Sequence, residues 1–105
     1  MADLSQLPGA DLLESGLKDL ATGTQSISAL LIAIGAPRLR RLGISLPPPG
    51  QLPAHPEHAL YRLLVQQRAR GVHSRYNALI RRLVSFERAL EFQRGRERRR
   101  LAIPR

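Results

Sequence analysis

Residues 72–90 read VHSRYNALIRRLVSFERAL, the most regularly patterned stretch of the chain. Its large apolar side chains recur at alternating steps of four and three residues, at Val72, Tyr76, Leu79, Leu83, Phe86 and Leu90. At about 100° per residue these positions fall in one narrow stripe along a helix, whereas Ser85 and Arg88 fall on the opposite side. The spacing therefore predicts a long amphipathic helix over 72–92 with one buried face.

Upstream of this stretch, glycine and proline divide the chain into shorter helical segments. Residues 9–21 predict a first helix, which a nearby glycine ends as a left-handed cap. Residues 27–34 carry no charge, and a helix that is apolar all round is typical of the centre of a core. The Gly-Ala-Pro sequence at 35–37 predicts a break. A short helix over 37–42 should follow, closed by Gly43-Ile44 in a Schellman motif.

The segment 45–56 holds five prolines and a glycine, so it is predicted to be an extended connection. Residues 56–70 predict the third major helix. Gly71 should end it, because a glycine inside a helix costs about 1 kcal/mol relative to alanine. No stretch shows the period-two alternation of a strand. The predicted fold is all-α, a small four- to five-helix orthogonal array.

A basic C-terminal tail is predicted to follow this array. The packed domain should span 1–93, and residues 94–105 carry six arginines against Glu97. Gly95 and the repeated like charges oppose continuation of the helix. We therefore expect residues 94–105 to form a flexible tail.

Composition narrows the class of protein. The 105 residues correspond to one domain, and the absence of cysteine excludes disulfides, zinc–thiolate sites and thiol catalysis. No apolar run approaches the ~20 residues that a membrane span needs. The start of the sequence also lacks the basic region of a signal peptide. We expect a soluble cytoplasmic protein with no membrane partner and no cofactor.

The net charge of +9 is unevenly distributed. Residues 1–36 carry four acidic side chains and one lysine, whereas residues 37–105 carry sixteen arginines and four glutamates. Arginine clusters suit phosphate backbones and also acidic protein surfaces. We predict a non-enzymatic protein that docks on an anionic macromolecule, with nucleic acid or a ribonucleoprotein ranked ahead of an acidic protein. The candidate contacts are Arg38, Arg40, Arg41, Arg81, Arg88, Arg94, Arg96, Arg98, Arg99 and Arg100.

Recognition of specific bases is not expected. A helix-turn-helix would place residues 27–34 in the major groove, but this segment offers base edges only Ser28. Aromatic residues are scarce, which disfavours a single-strand groove built on stacking. As a further alternative, the stripe on the 72–92 helix suits a homodimer seam or an assembly subunit that binds a protein partner.

Arg68 and His73 form an Arg-x-x-x-x-His motif. This spacing resembles the active-site motif of HEPN-type ribonucleases, a family of small all-α domains. The resemblance implies RNA cleavage at a dimer cleft, with arginine holding the phosphate and histidine moving the proton of the 2′-hydroxyl. RNA cleavage is therefore the enzymatic alternative to simple docking.

Two further histidines, His55 and His58, flank Glu57 at the predicted start of the third helix. A His-x-x-His pair can touch a metal ion, but no third strong ligand lies near it in the sequence. Helix capping and surface exposure explain both side chains better. No metal site is predicted.

Overall fold

The computed structural model describes residues 4–68 and 70–102, with the side chains of residues 100–102 left out of the description. These residues form four α-helices and no strand, which confirms the all-α fold class. Single 3-10 turns lie at Leu4–Gln6 and Pro49–Gln51. The helices are α1 (Ala10–Ala21), α2 (Ile27–Arg41), α3 (Pro56–Gln66) and α4 (Val72–Ala102).

Helix α2 lies at the centre of the fold, as its uncharged sequence predicts. It contacts each of the other three α-helices and contributes Leu31 and Leu39, which are fully buried. One core cluster joins α2 to α3 and to the first half of α4, and a second joins it to α1 and to the middle of α4. The start of α2 is capped by Ser26, whose hydroxyl accepts a hydrogen bond from the Ala29 amide at 3.1 Å.

The apolar stripe of α4 is buried as predicted between residues 79 and 90. Leu79, Leu83, Phe86 and Leu90 are all buried, whereas Val72 and Tyr76 at the start of the helix are half-buried. On the opposite side, Ser85 and Arg88 are exposed, as are the other polar residues of that face. The stripe therefore serves the core of one chain.

The predicted break at residues 35–37 is wrong, because α2 continues through Pro37 to Arg41. An internal proline removes one helical hydrogen bond and costs about 3 kcal/mol. Burial of Ala36 and Leu39 on the inner side of the same helix offsets this cost, while Pro37 itself faces solvent. The predicted short helix is thus the last part of α2. Its Schellman ending is confirmed, since the Ile44 amide donates to the Leu39 carbonyl at 3.0 Å.

The predicted end of the last helix near residue 92 is also wrong. Helix α4 continues over Gly95 to Ala102, so residues 94–102 are helical rather than a flexible tail. Arg94 donates to the Leu42 carbonyl at 3.0 Å, which joins this part of α4 to the end of α2. Arg94 also pairs with Glu97 of the same helix at 3.3 Å. At about 1.5 Å per residue, the helix extends roughly 10 Å beyond Gly95. The last part of the predicted tail, 103–105, lies outside the described residues.

The loop between α3 and α4 ends the third helix earlier than predicted. Helix α3 stops at Gln66, and Arg68 and Gly71 both adopt positive φ, at 55° and 57°. An arginine in this left-handed conformation is uncommon and marks a tight turn. The predicted break at Gly71 is confirmed.

Candidate nucleic-acid interface

Arg38 is half-buried and pairs with acidic side chains of the protein itself. Its guanidinium lies between two carboxylates of α4, 3.5 Å from Glu87 and 2.5 Å from Glu91. The two glutamates are one helical turn apart, so they meet the arginine from the same side of α4. Arg38 therefore joins α2 to α4, and its role as a ligand contact stays a prediction.

Glu87 is the buried member of this group and is only 5% exposed. Its second carboxylate oxygen lies 2.8 Å from the point that a Cβ on Gly35 would occupy, so the Glu87 side chain would have to shift if residue 35 carried a Cβ. Burial raises the pKa of Glu87 above its ordinary value, and the nearby Arg38 charge opposes that rise without overcoming it. The α2–α4 contact thus contains one poorly solvated carboxylate.

We expect Glu87→Gln to become more stable relative to the wild type as the pH rises. Because the folded state raises the pKa of Glu87, it binds this proton more tightly than the unfolded state. The resulting stability is present below about pH 4.5 and is lost as the pH rises through the raised pKa. A neutral glutamine carries no such loss. Urea denaturation at about pH 4.5 and at about pH 7 measures the difference.

Glu91→Gln is the matched control for this prediction. It removes the exposed partner of Arg38 and leaves the buried carboxylate in place. In this variant Glu87 should still lose stability as the pH rises through its raised pKa. If the free energy of unfolding of Glu87→Gln relative to the wild type instead falls towards neutral pH, the ion pair with Arg38 outweighs the cost of burying the Glu87 carboxylate.

Two other predicted contacts, Arg40 and Arg94, are also structural. Arg40 donates to the Pro47 carbonyl at the start of the proline-rich connection, and Arg94 donates to the Leu42 carbonyl. Leu42 is the C-cap of α2, where a helix leaves carbonyl groups without internal partners, and the bond to Pro47 joins α2 to the connection that follows it. Three of the ten predicted arginines therefore brace the fold.

Arg82, an arginine of α4 outside those ten, also forms an ion pair within the protein. Arg82 lies 3.1 Å from the carboxylate of Asp11 and joins α4 to α1. The hydrogen bond from Arg82 lowers the pKa of Asp11. Both side chains are largely exposed, so this ion pair adds little to stability.

The remaining arginines of α4 include a straight line of three. Positions 81, 88 and 99 are separated by seven and eleven residues, so their side chains lie within about 20° of one line along the helix. We call Arg81, Arg88 and Arg99 the outer arginine row. All three are exposed, and within the described residues no acidic side chain pairs with them.

The acidic residues of α4 lie off this row and pair with other arginines. Glu87 and Glu97 lie towards the inner side of the helix, whereas Glu91 is exposed on its flank, about 80° from the row. Glu87 and Glu91 contact Arg38, and Glu97 contacts Arg94. Internal arginines thus neutralise the three carboxylates, and the outer side of α4 is left cationic over about 27 Å from Arg81 to Arg99. The fold separates the charges of α4 between its two sides.

Phe92 lies in the same line, between Arg88 and Arg99, and was missed as a site residue in the sequence. It is 64% exposed, the highest value among the exposed large apolar side chains of the described residues. The guanidinium of Arg96 lies 5.9 Å from the ring centroid, within the range of a cation–π contact. The sequence alone indicates that Phe92 is exposed, because a helical projection places position 92 on the side opposite the buried Leu90.

The other predicted arginines flank the row or lie apart from it. Arg96 is exposed beside the row on the last part of α4, and Arg41 is exposed at the end of α2. Arg98 is also exposed, but the helical projection places it about 100° from the row. The side chain of Arg100 lies outside the described residues. The structure therefore groups Arg81, Arg88 and Arg99 with Arg96, and it separates them from the three bracing arginines.

Arg68 and His73 lie at opposite ends of the turn between α3 and α4. Arg68 has the positive φ noted above, His73 lies in the first turn of α4, and both residues are exposed. The HEPN-like hypothesis therefore places its two residues on one exposed turn. RNA cleavage there stays a prediction.

A groove of about 750 Å³ lies near the start of α3. Tyr61 and Tyr76 meet in it with ring centroids 5.8 Å apart, and His55 and His58 line it with Glu57 and Arg62. Among the described residues, no group of three or more His, Cys, Asp or Glu side chains is placed to hold a metal ion.

Within the described part of the chain, no helix has the length and apolar character needed to cross a bilayer. A scan against protein-family models finds none that matches the chain, and searches of curated proteins and of solved structures find no similar protein.

Proposed function

We propose that this protein binds the phosphate backbone of nucleic acid through the outer side of α4. The observation that carries the proposal is the outer arginine row, three exposed guanidinium groups on one line of a continuous helix. Exposed arginines on a basic face supply the phosphate contacts of nucleic-acid-binding proteins. The predicted anionic partner would thus bind one surface, the outer side of α4.

The geometry of α4 favours an extended polyanion over a small anion. The row spans about 27 Å, and duplex DNA carries one negative charge per ~1.7 Å of axis with both strands counted, so phosphates occur along the whole length of the row. A rigid helix holds its three cations at fixed separations without the entropy cost of ordering a loop. A single small anion could contact only one of the three arginines, because they are too far apart to share it.

Affinity should vary little with nucleic-acid sequence. Phosphate contacts fix position but carry no base information, and arginines facing one strand would meet the same backbone on any sequence. Residues 27–34, which a helix-turn-helix would place in the major groove, are largely buried in the core. This agrees with docking that does not read bases.

The test compares two triple variants with the same net charge. The first replaces Arg81, Arg88 and Arg99 with glutamine, and the control replaces Arg62, Arg70 and Arg75, which are equally exposed near the other end of α4. Fluorescence anisotropy with two duplexes of unrelated sequence measures affinity across a range of salt concentrations.

The row variant should weaken binding to both duplexes alike and make the log–log salt slope shallower by about one unit per arginine. The control variant should keep most of the affinity and slope. Equal losses in the two variants would mean that total charge, rather than the outer side of α4, determines binding. That outcome would overturn the proposal.

A further inference from the structure

We propose that Phe92 is a stacking platform for one unpaired nucleobase, so that the preferred ligand is a nucleic acid with a bulged or single-stranded nucleotide. This inference rests on the proposed function and names its ligand more narrowly. It is carried by an exposed aromatic ring placed among cations on the phosphate-binding side of α4.

The position of the ring is unusual for a phenylalanine. Its neighbours one turn away along the helix are Arg88 before it and Arg96 after it, so cations stand about 6 Å along the axis on each side. Phe92 belongs to neither of the two core clusters, and the structure leaves most of its surface in water. The ring therefore adds little to the folded core. Arg96 lies over one face of the ring, and the ring's exposure leaves the other face available to a ligand.

A nucleotide fits this arrangement better than other occupants. Its base offers a π face to the ring, and its phosphate offers a negative charge to Arg88 or Arg96; base–aromatic stacking tolerates any base. A second copy of the chain docked symmetrically on Phe92 would bring an identical arginine row against the first. The resulting repulsion between like charges opposes such a dimer.

The proposal concerns one base rather than a track of bases. The other strongly exposed aromatic residue of the described chain, Tyr61, pairs with Tyr76 in the groove at the start of α3. Phe92 is thus the single ring on the outer side of α4 within residues 70–102. This is consistent with the scarcity of aromatic residues in the sequence.

The test uses a duplex with one bulged nucleotide and the same duplex fully paired. Phe92→Leu keeps an apolar, helix-forming side chain but removes the π face, and Phe92→Tyr restores the ring. The bulged nucleotide is 2-aminopurine, whose fluorescence is quenched when it stacks. Anisotropy reports affinity, and the fluorescence reports the base itself.

Phe92→Leu should weaken binding to the bulged duplex by about ten-fold and abolish the quenching, while binding to the paired duplex is unchanged. Phe92→Tyr should retain both the affinity and the quenching. Loss of the same factor on both duplexes, or no loss on either, would overturn the stacking proposal. So would light scattering that shows a wild-type dimer dissociated by Phe92→Leu, because the ring would then be a protein contact.

The two proposals fail in different ways. If Phe92→Leu changes nothing while the row variant still loses paired-duplex binding, the phosphate interface stands and the stacking platform is wrong. If the row variant keeps its paired-duplex binding, the phosphate interface itself is wrong.

Discussion

Leu83→Ala should lower the free energy of unfolding by about 2–5 kcal/mol, the range found when a buried leucine is truncated in a packed core. Leu83 is only 5% exposed and lies in the cluster shared by α2, α3 and α4. Its Cδ1 lies 3.0 Å from the point that a Cβ on Gly35 would occupy, so α2 and α4 approach closely there. The truncation would leave a cavity at this crossing, and urea denaturation measures its cost.

Ser85→Ala is the control for this prediction, since residue 85 is exposed on the opposite side of the same helix. A surface substitution of this kind should change stability by no more than about 0.5 kcal/mol. Equal shifts in melting temperature for the two variants would show that the stripe of α4 is not the buried side.

The parts of the fold that were predicted correctly depend on local geometry. The four-and-three spacing from Leu79 to Leu90 identifies the buried side of α4, because side-chain direction in a helix follows from sequence separation alone. The Schellman motif at Gly43 is likewise a local pattern, with φ of 94° and the Ile44 amide bonded back to α2. Both features are confirmed because no distant residue is needed to form them.

The two wrong boundaries have a common cause. Pro37 and Gly95 each disfavour a helix locally, yet α2 and α4 continue through them. The compensating contacts join residues far apart in sequence, such as Arg94 with the Leu42 carbonyl, 52 positions away. Local propensity is a weak prior that tertiary contacts override, and such contacts are invisible in a single sequence.

The sequence predicts which arginines could contact a ligand, but it does not predict which of them lie on the same surface. The sequence indicates where arginines concentrate, but it does not show that Arg38 lies between Glu87 and Glu91. In the helical projection Glu87 falls near the inner side, which indicates that a cation from another helix would meet it, whereas Glu91 falls on the flank. The same projection places Phe92 outside, so this residue was predictable from spacing alone.

Removal of residues 98–105 should sharply reduce the salt dependence of nucleic-acid binding with little effect on stability. The deletion removes four arginines, Arg99 of the outer row among them, and retains the bond from Arg94 to the Leu42 carbonyl. Ionic contacts release counterions in proportion to the phosphates neutralised, so the log–log slope reports the number of contacts. The core residues of α4 end at Leu90, well before the deletion.

The direct measurement is the duplex-binding affinity of the full chain and of the chain ending at Glu97 over a series of salt concentrations, with the melting temperature of each. If the four arginines neutralise about four phosphates, the slope of the shortened chain should be shallower by roughly 3–4 units, with an unchanged melting temperature. An unaltered affinity and slope would show that Arg99 contacts no phosphate and would contradict an interface that extends along the whole outer arginine row.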